Sequence, residues 1–439
     1  MRVALDYGRG RLPVELPAGH PVEVLEKAAV APLADPAAAL RAALEAPIGT
    51  PPLRELAAGR RDAVIVVSDR TRPVPNALLL PALLDALGRG GLPPAAVTLL
   101  VATGLHRAAT PAELSEMLGP ELARSLRIVQ HDAREREAHA DLGRTRAGIP
   151  VFIDRAYLER DLRIATGLVE PHLMAGYSGG RKAICPGLAS VETIRVAHGP
   201  RMLEAHVGAG IVEGNPLHED LVDVARRAGV DFIANVALDR ARRVAGVFCG
   251  DLEAAHAAAM AFVEAECLVS LEEPADLVLA SGGGHPLDAT FYQAIKGVVA
   301  AAGVVRPGGA ILLCASLSEG VGSASFEKLL RQSPGPEDFE RRLADDAFFA
   351  VDQWMVQHLC QARRRARVML YTGGLPLASA SELLVEAVPS PEEGVRRALA
   401  GARPGARIAV LPQGPYVLAT VRGQKRPLGR DVPPATFAG

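Results

Sequence analysis

Residues Glu170 to His198, EPHLMAGYSGGRKAICPGLASVETIRVAH, hold two histidines, a Ser-Gly-Gly turn, an Arg-Lys pair and a Pro-Gly turn. The preceding LRIATGLV is apolar and partly β-branched, which predicts a buried strand. The segment ASVETIRVAH at its end predicts a short helix. The turn Ser178-Gly179-Gly180 would then lie where a strand passes into a helix, where backbone N–H groups often bind anions. Lys182 follows as a cation for the same anion, or as an amine that could bond covalently.

Two earlier segments each predict a strand, a polar loop and a helix. In the first, the apolar run Val64–Val67 leads to the loop 68–72 and to a helix that begins near Asn76. In the second, AVTLLVATGLH leads to a loop that carries His106, and a Thr-Pro pair predicts a capped helix start at Thr110. Strands that alternate with helices at this spacing predict a mostly parallel sheet with both faces covered.

Loops at the carboxyl ends of parallel strands line the ligand crevice of such folds. Three loops therefore converge in this prediction, and they bring together Asp69, Arg72, His106, His172 and Lys182. Simpler interpretations stay open at this point. Asp69 and Arg72 could form a surface ion pair of little energetic value, and a loop histidine such as His106 is often only solvated.

The second half of the chain repeats the α/β pattern after a break at EEPAD. We predict an N-terminal α/β domain over residues 1–268 and a C-terminal α/β domain over 269–439, with mostly parallel sheets and the active site in the cleft between them. The Gly-rich loop Gly282–Gly284 is a phosphate loop or merely a tight turn. A long helix is predicted over Asp345–Arg364.

Composition limits the class of protein. Hydrophobic residues make up 49% and charged residues 22%, the balance of a soluble globular protein. A formal charge of −2 gives no electrostatic case for nucleic acid or an anionic membrane, and no apolar run is long enough to span a bilayer. The five scattered cysteines show no CxxC spacing, which favours a reducing compartment. We therefore expect a cytoplasmic protein.

Six motifs together resemble one family, the nickel-pincer-nucleotide-dependent lactate racemases and related 2-hydroxyacid racemases. They occur in the family's order and at similar spacings, from about residue 68 to 354: SDRTRP, ATGLH, PHLMAGYSGGRKAICPG, AHG, FYQAIKG and DQW. The resemblance implies a two-domain α/β fold with the active site in the cleft. It also implies an isomerase that inverts C2 of a 2-hydroxyacid by reversible hydride transfer.

The resemblance implies a covalent cofactor, the nickel-pincer nucleotide, which is a nickel-bound pyridinium-3-thioamide-5-thiocarboxylic acid mononucleotide. Lys182 matches the lysine that tethers it, and His198 matches the histidine ligand of nickel. An imidazole beside sulfur ligands suits square-planar Ni(II). Residues matching those that hold the nucleotide phosphate are Thr71, Ser178, Gly179, Gly180 and Arg181. Proteins that synthesise the cofactor are implied as partners.

Further matches concern the substrate. His106 and His172 match an acid/base pair on opposite sides of the hydroxyacid, and Asp69 matches the carboxylate that orients one of them. Residues matching those that bind or border the substrate are Arg72, Gln293, Lys296 and Trp354. Imidazoles suit proton transfer in both directions near neutral pH, and the fork of Arg72 can hold a carboxylate in bidentate fashion.

Two other classes of function stay open. One is a nicotinamide-dependent 2-hydroxyacid dehydrogenase, although the sequence lacks a GxGxxG motif followed by an acidic residue about 20 positions later. The other is a non-catalytic carrier of the nickel cofactor. A carrier would need Lys182 and His198, but not His106, Arg72 and Lys296 as well.

Overall fold

The computed structural model describes residues 1–333, 335–345 and 348–423, which fold into two compact units. The first unit comprises residues 29–198 and 211–266. Of the described residues, the second comprises 1–28, 199–210 and 267–423. The predicted boundary at 268 lies next to the passage into the second unit at Cys267, but the first 28 residues group with the C-terminal half of the chain.

Strands and helices alternate along most of the chain. The strands are β1 (Arg2–Tyr7), β2 (Gly10–Glu15), β3 (Val22–Val24), β4 (Ala63–Ser68), β5 (Val97–Ala102), β6 (Arg127–Gln130), β7 (His139–Arg144), β8 (Pro150–Asp154), β9 (Leu162–Leu168), β10 (Pro171–His172), β11 (Ala175–Tyr177), β12 (Gly208–Ala209), β13 (Phe232–Leu238), β14 (Val244–Gly250), β15 (Leu268–Leu271), β16 (Ala275–Ser281), β17 (Val305–Cys314), β18 (Ala366–Tyr371), β19 (Glu386–Ala387), β20 (Ile408–Leu411) and β21 (Leu418–Val421).

The α-helices differ in length from one turn to about four. They are α1 (Pro36–Glu45), α2 (Leu53–Ala57), α3 (Asn76–Arg89), α4 (Pro111–Leu118), α5 (Pro120–Ser125), α6 (Arg155–Leu158), α7 (Val191–Ala197), α8 (Pro200–Glu204), α9 (Pro216–Ala228), α10 (Ala254–Cys267), α11 (Phe291–Ala302), α12 (Ala324–Arg331), α13 (Pro336–Leu343), α14 (Gln353–Arg365), α15 (Leu377–Ser381) and α16 (Pro391–Leu399). No helix among the described residues is long and apolar enough to cross a bilayer.

A six-stranded sheet forms the centre of the first unit, in the order β14-β13-β9-β4-β5-β6. All neighbouring pairs are parallel except β13 with β14, which form an antiparallel hairpin. Strands β4, β5 and β9 are almost entirely buried because helices cover the sheet. Leucines of α1, α2 and α3 pack against these strands in one hydrophobic core.

The second unit contains a parallel sheet in the order β19-β18-β17-β16-β20-β3. Its edge strand β3 comes from the N-terminal 28 residues and pairs with β20, with Val22 opposite Ile408. The α/β class and the mostly parallel sheets predicted from the sequence are therefore confirmed.

One local prediction is confirmed and the start of one helix is corrected. The second βα unit has the expected capping box, in which the Thr110 side chain accepts from Glu113 N and the Glu113 carboxylate accepts from Thr110 N. The helix expected over Asp345–Arg364 begins only at Gln353, after Asp352 in the left-handed region at φ 71°. A residue with that φ cannot continue a right-handed helix, and part of the predicted start, 346–347, lies outside the described residues.

Candidate active site

Three loops follow the adjacent parallel strands β9, β4 and β5 of the first unit. The loop after β4 carries Asp69 to Arg72, and the loop after β5 carries His106. The β5 loop also contacts the segment after Lys182, because Gly104 N donates to the carbonyl of Gly187 at 3.1 Å. The convergence expected from strand order is thus present within this unit.

Asp69 and His106 form the closest polar pair of these loops. His106 Nδ1 lies 2.5 Å from Asp69 Oδ2, and Thr71 Oγ1 donates to Asp69 Oδ1 at 2.7 Å. Burial alone would raise the pKa of the Asp69 carboxyl, but the charge and hydrogen bond of His106, with help from Arg72 and Thr71, lower it to about 2. The carboxylate is therefore ionised at neutral pH, so His106 Nδ1 must be the donor.

Thr71 thus has an observed partner, the carboxylate of Asp69, and its contact with a nucleotide phosphate stays a prediction. Arg72 is half-buried, and its Nη1 is a buried donor without a hydrogen-bond partner in the described structure. A buried guanidinium donor that lacks a partner is costly. Since the donor lies on the loop that carries Asp69, an anion bound there would remove this cost. This observation fits the predicted carboxylate-binding role of Arg72 better than a surface ion pair.

His172 lies on a hairpin that the sequence did not reveal. Strands β10 and β11 pair antiparallel, with His172 opposite Gly176. The ring Nδ1 accepts hydrogen bonds from the backbone N–H groups of Met174 at 3.3 Å and Ala175 at 3.1 Å. The orientation of this histidine is therefore set by the backbone of its own hairpin.

The Ser178–Arg181 turn differs from the predicted anion cradle. It follows β11 and enters a four-residue 3₁₀ turn, not a longer helix, so the aligned N–H groups of a helix start are missing. Ser178 N donates to Glu170 O at 2.9 Å, and Gly180 N donates to the Asn235 side chain at 3.2 Å. The turn offers few of its own donors to a phosphate.

Arg181 is buried and contacts other parts of the first unit. Its Nη2 donates to the carbonyl of Ala175 at 2.5 Å, and its Nη1 lies 3.3 Å from His256 Nδ1. His256 Nε2 donates to the Ser178 carbonyl at 2.9 Å, which leaves Nδ1 as the acceptor. Burial lowers the pKa of Arg181 to about 9. Burial and the nearby guanidinium lower that of His256 to about 3, so the imidazole is neutral.

Lys182 is half-buried, and no carboxylate forms an ion pair with it in the described part of the chain. Burial, then the positive charges of Arg181 and Arg72, lower the pKa of the Lys182 amine to about 7. An amine with this pKa is substantially neutral at physiological pH, and a neutral amine is a nucleophile. Cys185 is buried, and burial raises the pKa of its thiol to about 12, which fits a packing role and not that of a nucleophile.

His198 is buried and terminates α7, where its backbone N–H donates to the carbonyl of Ile194 at 2.9 Å. In the described residues, no three His, Cys, Asp or Glu side chains are grouped as a metal site of protein ligands alone would be. Among the described residues, at most one other side chain of these types could therefore join His198 as a ligand of the same metal.

Three predicted substrate-binding residues belong to the second unit. Gln293 and Lys296 lie on α11, where the Gln293 side chain is buried and its Oε1 accepts no hydrogen bond in the described structure. Trp354 is buried on α14, and its Nε1 donates to the hydroxyl of Tyr292 at 2.9 Å. This bond fits a side chain that anchors its helix as well as one that borders a pocket.

The sequence did not reveal the buried side chains that form hydrogen bonds to the segments carrying the site residues. Asn235 on β13 is fully buried and holds Gly180, and the buried His256 contacts Arg181. Asn215 caps α9 and donates from Nδ2 to the carbonyl of Met174 at 2.8 Å. One signal was available: an asparagine in the apolar strand FIANVAL needs a buried hydrogen-bond partner.

Comparisons with known proteins agree over most of the chain. Residues 7–210 match the family model of the lactate racemase N-terminal domain, and residues 271–419 match that of the C-terminal domain. The lactate racemase of Thermoanaerobacterium thermosaccharolyticum is 32% identical over 421 residues, which covers 95% of this chain and 98% of that protein. The lactate racemase of Lactiplantibacillus plantarum is 33% identical over 374 residues, covering 84% and 88%.

Solved structures lead to the same family. The lactate racemase apoprotein from T. thermosaccharolyticum superposes with a TM-score of 0.88 at 31% identity, over 95% of this chain and all of that one. A Thermotoga maritima protein, with a TM-score of 0.66 and 19% identity over 84% of this chain and 97% of that one, shares the fold. With both family models matched in order and named racemases aligned over most of its length, the chain belongs to the lactate racemase family and is an isomerase.

Proposed function

We propose that this chain racemises a lactate-like 2-hydroxyacid, using a nickel-pincer nucleotide bound covalently at Lys182. The observation that carries the proposal is the pairing of His106 with the ionised Asp69, whose loop also carries Arg72, in the unit that holds Lys182. The two relatives described above are named lactate racemases. Their name supports lactate or a similar acid as the substrate.

The residues of the site fit the proposed cofactor. The pKa of about 7 leaves the Lys182 amine free to react with an activated acid at neutral pH. His198 would be the nickel ligand contributed by the protein, and sulfur atoms of the cofactor would complete the coordination. When bound, the group would supply an acceptor that takes hydride from C2 and returns it to either face. Proteins that build this cofactor are the proposed partners.

The side chains of this chain would bind the substrate and handle its proton. The buried Nη1 of Arg72 would donate to the substrate carboxylate and hold the planar ketoacid while it turns. His106 and His172 would contact the hydroxyl oxygen. Substrate-binding roles for Gln293, Lys296 and Trp354 stay part of the proposal.

The test is the intact mass and nickel content of the chain produced together with the cofactor-synthesis proteins. We expect a mass above that of the polypeptide, and bound nickel. Lys182→Ala should lose both the adduct and the nickel, whereas His198→Ala should keep the organic adduct and lose nickel. The L. plantarum lactate racemase, produced in the same cells, is the loading control. A loaded control beside an unmodified, nickel-free wild-type chain would overturn the proposal.

The same preparation separates the alternatives. A nicotinamide-dependent dehydrogenase would release reduced nicotinamide together with the ketoacid, and would be active without nickel. A carrier would bind the cofactor but leave pure L-lactate and pure D-lactate unchanged. Interconversion of the two enantiomers with no net oxidation supports the racemase.

A further inference from the structure

Arg181 directly precedes Lys182 in the chain, but its side chain bonds to a different segment, the β10–β11 hairpin. Its Nη2 donates to the carbonyl of Ala175 at 2.5 Å. The backbone N–H of the same Ala175 donates to Nδ1 of His172 at 3.1 Å. One residue of the hairpin therefore receives a hydrogen bond from Arg181 and gives one to the ring of His172.

The other end of the guanidinium lies against His256 of α10. Arg181 Nη1 is 3.3 Å from Nδ1 and 3.2 Å from Nε2 of this ring, and Nε2 donates to the carbonyl of Ser178 at 2.9 Å. A Cβ at Gly180 would lie 2.8 Å from the same ring, so the ring also packs against the backbone of the turn. Arg181 and His256 together connect three segments: the turn before Lys182, the hairpin and α10.

Arg181 is 1% exposed and has only neutral partners, a carbonyl and an uncharged imidazole. No carboxylate forms an ion pair with it in the described part of the chain, and its buried Nε has no hydrogen-bond partner there. A buried guanidinium without a counter-charge is costly, so an apolar side chain would fill this space at lower cost. A side chain with so little exposure also offers no surface to a phosphate that enters from solvent.

We propose that Arg181 is a positioning residue, which ties the hairpin of His172 to the turn of Lys182 and so fixes this acid/base histidine relative to the cofactor tether. The inference rests on the proposed function and deepens it. Proton transfer and hydride transfer act on one substrate molecule, so the histidine and the tethered group must keep a fixed separation. Arg181 maintains this separation because it is the neighbour of Lys182 in the chain and is hydrogen-bonded to the hairpin.

The first test needs no cofactor and uses the full chain labelled with ¹⁵N in its histidine rings. Long-range ¹H–¹⁵N NMR reports the ring nitrogens of His172, and His172→Gln assigns their signals. We expect Arg181→Met to shift these signals, because the hairpin loses its bond at Ala175. Arg181→Lys keeps the positive charge beside Lys182 and one donor for the carbonyl, so it should shift them less.

Arg163→Met is the matched control. Arg163 lies at the amino end of β9, where its Nη1 donates to the carbonyl of Ala228 at 2.8 Å, so the control removes an arginine–carbonyl bond at the other end of the strand. It should leave the His172 signals in place. If Arg181→Met does not fold, His256→Phe takes its place, because it keeps a ring beside the turn but removes both ring nitrogens, and it should shift the same signals. A folded Arg181→Met or His256→Phe chain with unshifted His172 signals would overturn the proposal, whatever the cofactor experiment shows.

The second test uses the loaded enzyme and measures single-turnover oxidation of each lactate enantiomer. We expect Arg181→Met to keep the adduct mass and to lose about 10–10²-fold in rate, the scale of a misplaced catalytic group, with partial recovery in Arg181→Lys. The enantiomer that is impaired more should be the one impaired more by His172→Ala. Loss of the adduct would instead indicate a cofactor-binding role. That result, equal losses for both enantiomers, or a bias that follows His106→Ala would each refute the positioning role.

Discussion

Lys182 should react with small electrophiles far faster at neutral pH than an exposed lysine does. The chain has five lysines, so each can be followed by peptide mass spectrometry after labelling. The perturbation is limited reductive methylation with formaldehyde between pH 6 and 10, on the full chain without cofactor. Lys328, which is exposed, is the internal reference.

The size of the effect follows from the pKa. With a pKa of about 7, half of the Lys182 amines are neutral at pH 7, compared with about one in 3,000 for an ordinary lysine. A less basic amine is also a weaker nucleophile. For thiolates, the logarithm of the rate constant falls by about 0.4–0.5 for each unit by which the pKa is lowered. If the same slope holds for amines, Lys182 still reacts roughly 30- to 60-fold faster at pH 7 than an ordinary lysine. Partial burial slows access of the reagent, so we expect about tenfold or more.

The pH dependence gives the second part of the result. The labelling rate of Lys182 should rise with a midpoint near pH 7, because that is where burial and the neighbouring cations place its pKa. Arg72→Gln removes one of these cations and should move the midpoint to higher pH. A Lys182 rate at or below that of Lys328 at pH 7, still rising through pH 10, would refute the argument and with it the case for a reactive amine.

Three further substitutions test other parts of the site. Asp69→Asn should lower kcat about 10²–10⁴-fold at unchanged adduct mass, because the His106 ring loses its anionic partner. Gly180→Ala should lower the free energy of unfolding by about 2–4 kcal/mol, since its φ is +50° and a Cβ would lie 2.8 Å from a buried histidine ring. Gly59 also has a positive φ, +76°, but a Cβ there would have nothing within 4 Å. Gly59→Ala in the same urea titration therefore measures the backbone effect alone. Lys182→Met should raise the free energy of unfolding by about 1–3 kcal/mol at pH 6, and by progressively less as the pH rises from 7 to 10.5. The reason is that the amine loses its proton near pH 7 in the folded chain but only near pH 10.5 in the unfolded chain. Urea titrations of both proteins at several pH values measure the difference.

The βα units were predictable because local signals agree there. The apolar run at Val64–Val67 marks a strand buried on both faces, and the structure extends it by one residue at each end, to Ala63–Ser68. The capping residues after Thr110 begin a helix where expected. Parallel strands then bring their carboxyl ends to one edge of the sheet, which is why strand order alone predicts that Asp69 and His106 lie near each other.

The hairpin at His172 was not predictable in the same way. Its strands β10 and β11 have two and three residues, too short to show a periodic pattern. The Ser-Gly-Gly turn resembled an anion site because glycines suit both phosphate loops and close packing. Only the structure shows that Asn235 and His256 occupy the space beside Gly179 and Gly180.

The pairing of β3 with β20 has a consequence for synthesis on the ribosome. Val22 pairs with Ile408, so the chain makes the first of these residues 386 positions before the second. At roughly 5–20 residues per second, β3 waits about 20–80 s for its partner. All strands of the central sheet of the first unit have been synthesised once the ribosome reaches Gly250. This sheet can therefore form while the backbone groups of β3 still lack their partner strand β20. These residues are therefore the segment of the nascent chain on which a chaperone would have the longest time to act.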